Sequence, residues 1–267
     1  IGAHYALATT VLALELLLAR CISLLVLSDN GRLWVYMLFW LNPVCVYVSY
    51  WHGALDVLPV LVLTLSFVCL LRKWIAASGL LLGLAISAKF LAALALPYVI
   101  LAILREKRFA PSLVPFLGCL LVGLLPFLAA LPLAGYQEMV LGTPEAAKVF
   151  SSRLSITDGQ TIVILPIALG LLALFCWRVG RFTTHLTMMF VALAFLMLYL
   201  LTPAPPGWLI WVIPFVSIAV LTHSSVSIAI AQLFFLFALS DHLVESLGLY
   251  IVEWTSYVDA SHLTVGS

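Results

Sequence analysis

The stretch Gly79-Leu80-Leu81-Leu82-Gly83-Leu84-Ala85-Ile86-Ser87-Ala88-Lys89-Phe90 decides the fold class. It carries no charge until Lys89. Gly79, Gly83 and Ser87 recur every four residues, a small-residue seam on one helix face that lets a second helix approach closely. Lys89 stops the run, and a second short apolar segment, from Phe90 to Leu104 with Pro97 inside it, follows directly. Interrupted helices of this kind line cavities in membrane proteins, and a cation at such an interruption suits a phosphate. The plainer reading of Lys89 is a long side chain snorkelling from a helix end to the membrane surface.

The composition of the whole chain agrees with that stretch. Of its 267 residues 65% are hydrophobic, 9% charged and 12% aromatic, against about 45–50% apolar and about 25% charged in an average soluble domain. So few charges cannot cover a water-facing surface, which excludes a soluble globular domain, a disordered chain and a coiled coil. The net charge of +1 gives no footprint for nucleic acid. A polytopic membrane protein remains, an all-α bundle of transmembrane helices. At about 20 apolar residues per crossing the chain has room for about ten. Breaks in the apolar runs predict helices near 4–27, 33–50, 56–71, 74–87, 90–104, 111–133, 161–177, 185–201, 208–221 and 226–240. These form one unit over residues 1–240, with a single long outer loop at 134–160. Residues 241–267 form a tail in which Leu243, Leu247, Ile251, Trp254 and Val258 share one helical face; it is expected to lie along the outer interface. The chain opens on Ile1 within an apolar run, without the charged start or the cleavage site of a signal peptide, and reads as the continuation of a longer chain. Cys21, Cys45, Cys69, Cys119 and Cys176 all lie in apolar runs and form no CxxC pair, so they read as small core residues.

Lysine and arginine set the expected orientation. Alternating loops put Arg32, Arg72, Lys73, Arg105, Lys107, Arg108, Arg178 and Arg181 on one side, and Lys89, Lys148 and Arg153 on the other. The first side is therefore expected to be cytoplasmic. Acids run the opposite way: Asp29 and Glu106 fall inside, while Asp56, Glu138, Glu145, Asp158, Asp241, Glu245, Glu253 and Asp259 fall outside. Acids do not orient membrane proteins, so a functional outer face is one explanation of that asymmetry.

Four outer segments could carry chemistry. In Asn42-Pro43 and Ser49-Tyr50-Trp51-His52-Gly53-Ala54-Leu55-Asp56, Pro43 interrupts an apolar helix, and Asn42 is expected to satisfy the freed carbonyl. His52 and Asp56 are four residues apart and share a helical face. Asp56 either lines a site or simply caps the next helix, where the dipole favours an acid. Lys89 ends the small-residue seam. In Pro205-Pro206-Gly207-Trp208-Leu209-Ile210-Trp211, Trp208 and Trp211 share a face, either as an interfacial aromatic belt or as a platform for a sugar ring or prenyl chain. In the outer loop, Arg153 of Ser151-Ser152-Arg153-Leu154-Ser155 can offer a bidentate fork to phosphate. Glu15, near the middle of the first helix, is either functional or held by an interhelical hydrogen bond. No phosphate-binding glycine loop, dinucleotide fingerprint, zinc-protease or serine-hydrolase motif occurs.

Taken together, Asn42-Pro43 leading to Ser49-x-x-x-Gly53-x-x-Asp56-x-x-Pro59, the Gly-Leu-Leu-x-Gly-Leu-Ala-x-x-x-Lys run ending at Lys89, Arg153-Leu154-Ser155, and Pro205-Pro206-Gly207-Trp208-x-x-Trp211-x-x-Pro214 resemble the GT-C superfamily of integral-membrane glycosyltransferases, in particular its mannosyltransferase-like branches. The resemblance spans roughly residues 33–214. It implies a GT-C-like bundle and an inverting transfer of a mannose-like hexose from a polyprenyl-phosphate donor. The acceptor would be a glycan, lipid or protein, on the periplasmic or lumenal face of a bacterial inner membrane or an ER-type membrane. It implies a catalytic role for Asp56 and substrate-binding roles for His52, Lys89, Arg153, Trp208 and Trp211, with the principal catalytic acid in a loop upstream of Ile1. The family often has Gln where Ala54 or Leu55 stands here. No organic cofactor is implied, and a divalent cation is left open. Expected partners are the lipid-linked donor, the acceptor and membrane lipids.

The competing readings are a multi-spanning transporter or lipid flippase, which would also use broken helices and intramembrane charge but favours inverted repeats, and a non-catalytic membrane subunit. The topology itself is testable. Single cysteines placed at Asp158 and at Arg181 are expected to react with impermeant thiol reagents from opposite sides of the membrane; labelling from the same side overturns it.

Overall fold

The computed structural model describes residues 2–26, 29–40, 42–51, 55–106, 110–142, 148–157, 160–180 and 183–221. Helix α1 spans Gly2–Leu25, and α2 spans Asp29–Trp40. The chain then restarts as a short helix α3, Pro43–Val46, that passes into a π-helical turn, Tyr47–Trp51. Sequence reading predicts one helix across this region, with Asn42 satisfying a carbonyl. Instead Asn42 is the N-cap of α3, its Oδ1 accepting from the Val44 N–H at 3.0 Å. Pro43 takes the first helical position, where its missing N–H costs nothing.

Helices α4, Val57–Leu71, and α5, Ile75–Ala88, form an antiparallel pair. The turn between them is a Schellman closure: the Trp74 N–H donates to Cys69 O at 2.8 Å and the Lys73 N–H to Leu70 O at 3.0 Å. Lys73 takes the left-handed conformation that glycine usually supplies there, with φ 67°. Inside the pair, Ser66 Oγ donates to Ser78 O at 2.8 Å. After α5 the chain runs as a 3-10 helix, Phe90–Ala95, into α6, Leu96–Arg105. A 3-10 turn, Ala110–Ser112, then leads to α7, Leu113–Gly123, and α8, Leu125–Ala130.

The small-residue seam predicted on α5 is the contact with α7. A Cβ at Gly83 would overlap the Leu120 carbonyl oxygen, and one at Gly123 would overlap the Leu80 carbonyl oxygen, so the two backbones meet directly. Ser87 Oγ closes the seam by donating to Gly123 O at 2.8 Å. On its other side α7 exposes Val114, Leu117, Leu121 and Val122, an apolar surface suited to hydrocarbon.

The long loop expected at 134–160 departs from the all-helical expectation. Arg153–Thr157 (β1) and Gln160–Val163 (β2) pair antiparallel, with Arg153 opposite Val163, Leu154 opposite Ile162 and Ser155 opposite Thr161. The signal lay in the sequence: Leu154-Ser155-Ile156-Thr157 and Thr161-Ile162-Val163 are rich in β-branched residues and stand on either side of Asp158-Gly159, a hairpin dipeptide. Accordingly the next helix, α9, begins at Ile164 and ends at Arg178. Helix α10 spans Thr184–Leu201, a 3-10 helix spans Pro206–Trp211, and α11 spans Ile213–Leu221. The expected helix at 226–240 and the tail 241–267 lie outside the described residues.

Among the described residues, three segments are long and apolar enough to cross a membrane: Tyr5–Leu25, Ala110–Ala130 and Thr184–Leu201. Val57–Leu71, Ile75–Ala88, Phe90–Arg105 and Ile164–Arg178 are apolar but shorter. The core lies where α1, α4, α10 and α11 meet. Phe67 and Phe215 contact edge to face at 5.2 Å between ring centres, and Phe195 packs on Trp211 at 5.4 Å.

The two ends of the bundle differ. At one end His185 contacts Leu25 O at 3.2 Å, and Arg105 donates to the Trp177 carbonyl. That end gathers the last turns of α1, α6 and α9 with the first turn of α10. The opposite end holds the start of α4, the break after α5, the β-hairpin and the Pro206–Trp211 turn. If the α5–α7 seam sets the architecture, Gly83→Ala should destabilise the fold by about 1–3 kcal/mol in unfolding titrations in mixed micelles. Leu84→Ala, on the exposed side of the same helix, should change it by less than about 0.5 kcal/mol; equal effects would show that the seam does not carry the packing.

Candidate functional site

The end of the bundle with the helix breaks brings together sequence segments far apart in the chain. Asp56 immediately precedes α4, and its side chain makes no capping hydrogen bond. Its Oδ1 instead accepts from Lys89 Nζ at 2.5 Å. The carboxylate thus faces the cation at the end of the neighbouring helix rather than its own helix N-terminus.

Lys89 reaches that position through its backbone. It is the single extended residue, φ −154° and ψ 117°, between α5 and the following 3-10 helix. Its N–H still closes α5 on Ala85 O at 2.9 Å, and its carbonyl accepts from the Ala92 N–H at 3.0 Å. The break therefore leaves neither backbone group orphaned. The ion pair is shielded unequally: the Asp56 side chain is 14% exposed and the Lys89 side chain 35%. The ammonium is the open face of the pair, accessible to an incoming anion.

Trp208 supplies the next connection. It is 8% exposed and forms a small cluster with Leu165 and Leu198, against which Leu91 and Leu94 of the 3-10 helix after Lys89 pack, together with Val149. This cluster joins the segment behind Lys89 to the loop ahead of Arg153. A second tie comes from Ser152, whose hydroxyl donates to the carbonyl of Leu201 at the end of α10. Arg153 opens β1 as an exposed residue, its Nε donating to Phe150 O at 2.7 Å. That bond orients the guanidinium and leaves its outer N–H groups for a further acceptor.

Trp211 is fully buried, with its ring on Phe195. Neither tryptophan therefore sits in an exposed aromatic belt; both are core residues of this end. Trp211 Nε1 and Ser49 Oγ are buried without a hydrogen-bond partner among the described residues. They lie on elements that touch, the Pro206–Trp211 turn and the π-helical turn Tyr47–Trp51, and π-helical turns often occur at functional sites. His52 lies outside the described residues. Glu15 is buried in α1.

Among the described residues no group of three or more His, Cys, Asp or Glu side chains could hold a metal ion, and Asp56 is paired with an ammonium. Sequence reasoning placed Asp56 and Lys89 on the same side but did not pair them. The signal was available: in an antiparallel helix pair the residue before the first helix and the residue after the second are neighbours. It likewise missed the aromatic series that lines Lys89's surroundings, in which Phe90 stacks on Phe127 at 5.9 Å and Phe127 meets Tyr136 edge to face at 6.1 Å.

A double-mutant cycle checks the pair. Asp56→Asn and Lys89→Gln should be non-additive by about 1 kcal/mol in micelle unfolding, a modest coupling because the ammonium is partly solvated; strict additivity would mean that the two side chains do not interact. No protein-family model, curated protein or solved structure matches this chain, so the site must be read from its own geometry and chemistry.

Proposed function

We propose that the chain is the core of a multi-pass membrane glycosyltransferase of the GT-C type, transferring a mannose-like hexose from a polyprenyl-phosphate donor to a glycan, lipid or protein acceptor. The observation that carries this reading is the Asp56–Lys89 ion pair at a helix break, tied through Trp208 and Ser152 to the hairpin that bears Arg153. The site would face the periplasm or lumen, opposite the end rich in Lys and Arg.

In the proposed reaction the acceptor hydroxyl oxygen bonds to the anomeric carbon from the face opposite the donor phosphate. The bond between that carbon and the phosphate oxygen breaks, and the electron pair leaves with the lipid phosphate. The hydroxyl proton passes to a carboxylate that acts as general base. Charge grows on the leaving phosphate, and fixed cations stabilise such charge strongly in a site of low dielectric. Lys89 and Arg153 are the cations suited to that task. In this scheme Asp56 holds the Lys89 ammonium toward the site. His52, Trp208 and Trp211 complete the proposed substrate surroundings, the two tryptophans by fixing the walls. A divalent cation remains part of the reading only as a contact of the donor phosphate, and no step depends on it.

A transporter or flippase is the second reading, favoured by the buried Glu15 in α1. It predicts movement of a lipid-linked sugar without release of polyprenyl phosphate.

Full-length protein in nanodiscs with polyprenyl-phosphate hexose decides between them. Lys89→Ala and Arg153→Ala should each lower turnover of the donor about tenfold to a hundredfold, the loss of one charge-assisted hydrogen bond of about 1.5–3 kcal/mol. Asp56→Asn should lower it while leaving the fold intact. Wild-type kinetics in both cation variants would reject phosphate binding at this site.

A further inference from the structure

We propose that a groove between α6 and α9, at the end of the bundle opposite Lys89, binds an acyl chain of an anionic phospholipid whose phosphate is held by Arg105. The inference requires the bundle to lie in a bilayer and does not depend on the glycosyltransferase reading.

The groove encloses about 170 Å³. Its walls are apolar along their length: Pro97, Leu101 and Leu104 from α6, Ala173 and Trp177 from α9. From Pro97 to Leu104 a helix rises about 10 Å, so the groove accommodates several methylenes of an extended chain. Leu171, Leu174 and Phe175 of α9 are exposed beside it, so the groove continues a surface already suited to hydrocarbon.

Its mouth carries the headgroup chemistry. Arg105 follows Leu104 directly, and Arg178 follows Trp177; both are exposed. Arg105 is fixed in place, because its Nη2 donates to the Trp177 carbonyl and its guanidinium carbon lies 5.2 Å from the Trp177 ring centre. One N–H is used in this way, and the planar fork retains others for a phosphodiester oxygen. Glu106 is the acid beside Arg105 in the sequence; two arginines against one acid leave the mouth positive. A guanidinium at the open end of an apolar groove, with Trp177 shared between groove wall and guanidinium, matches a lipid with an anionic head and an apolar tail. A lipid seated here has its head at Arg105 and its chain pointing toward Pro97, so it is distinct from one whose phosphate lies at Lys89.

Trp177 also serves as the reporter. The full chain is placed in nanodiscs of phosphatidylcholine containing a small fraction of phosphatidylglycerol, with bromine on the acyl chains of one lipid or the other. The emission of Trp177 is the difference between wild type and Trp177→Phe. Brominated phosphatidylglycerol should quench it about fivefold more effectively per mole than brominated phosphatidylcholine, the attraction that a cation near an anionic headgroup supplies, and salt should reduce the preference. Arg105→Gln should abolish the preference and Arg105→Lys should keep part of it, while Ala173→Phe, which fills the groove, should reduce quenching by both lipids. Equal quenching by the two lipids in the wild-type protein overturns the proposal without reference to any variant. A preference unchanged in Arg105→Gln also overturns it, by removing the arginine from the site.

Discussion

A backbone that leaves a helix inside an apolar environment must find new partners for its N–H and C=O groups within the protein, and that constraint governs how this chain is built. At Lys89 it is met locally, with the N–H on Ala85 O and the carbonyl on the Ala92 N–H. At Asn42 a side-chain oxygen accepts from the buried Val44 N–H at the start of α3. After α4 the Schellman turn does the same work, at the cost of a left-handed Lys73. Each break is therefore a fixed point of the fold rather than a loose joint. The break at Lys89 is positioned more tightly still, because the preceding helix lies backbone to backbone on α7 through Gly83 and Gly123. A small-residue seam thus sets where α5 ends, and the end of α5 sets where the ammonium lies.

Much of this was legible because it depends on local rules. The seam needs only a spacing of four and small side chains, and α5 packs on α7 along Gly79, Gly83 and Ser87 as that spacing predicts. Arg105 and Trp177 meet at one end of the bundle, while Asp56 and Lys89 meet at the other. What was not legible depends on contacts between distant residues or on competition between two local signals. Asp56 carried a correct capping signal, yet a cation 33 residues away in sequence takes its carboxylate. Trp208 and Trp211 carry the composition of an interfacial belt, and burial against Leu91, Leu94 and Phe195 overrides it. At 153–163 the hydropathy of Thr161-Ile162-Val163 resembled a helix start; β-branched residues on both sides of Asp158-Gly159 were the stronger signal, and pairing them makes β1 and β2.

The ends of the bundle carry cations in two different settings. Arg105 stacks on an indole and bonds a carbonyl, both neutral partners, so its full charge faces outward. Lys89 is matched by Asp56, so the pair is neutral as a whole. A paired ammonium is a weaker lure for counter-ions at long range than an unmatched guanidinium, but it offers an exchangeable partner at short range. An anion that approaches Lys89 from its open side can share the ammonium with Asp56, and the carboxylate then keeps the cation from following the anion when it departs.

That difference bears on the chemistry proposed for the site. A cation that binds substrate phosphate and product phosphate equally lowers the energy of both and accelerates nothing; only an interaction that strengthens as charge develops helps the reaction. In the proposed transfer, the donor phosphate begins as a singly charged diester and leaves as a monoester that carries the added charge of the broken C–O bond. An ammonium held by Asp56 is partly satisfied at the start and turns further to the phosphate as that charge grows. Arg153, fixed by its bond to Phe150 O but otherwise open, adds a rigid donor on a separate element. An ammonium with a competing partner and a guanidinium preset on a hairpin together would give the differential stabilisation that a lone cation would not, and for that reason the Asp56 carboxylate belongs to the proposed site even without taking a proton.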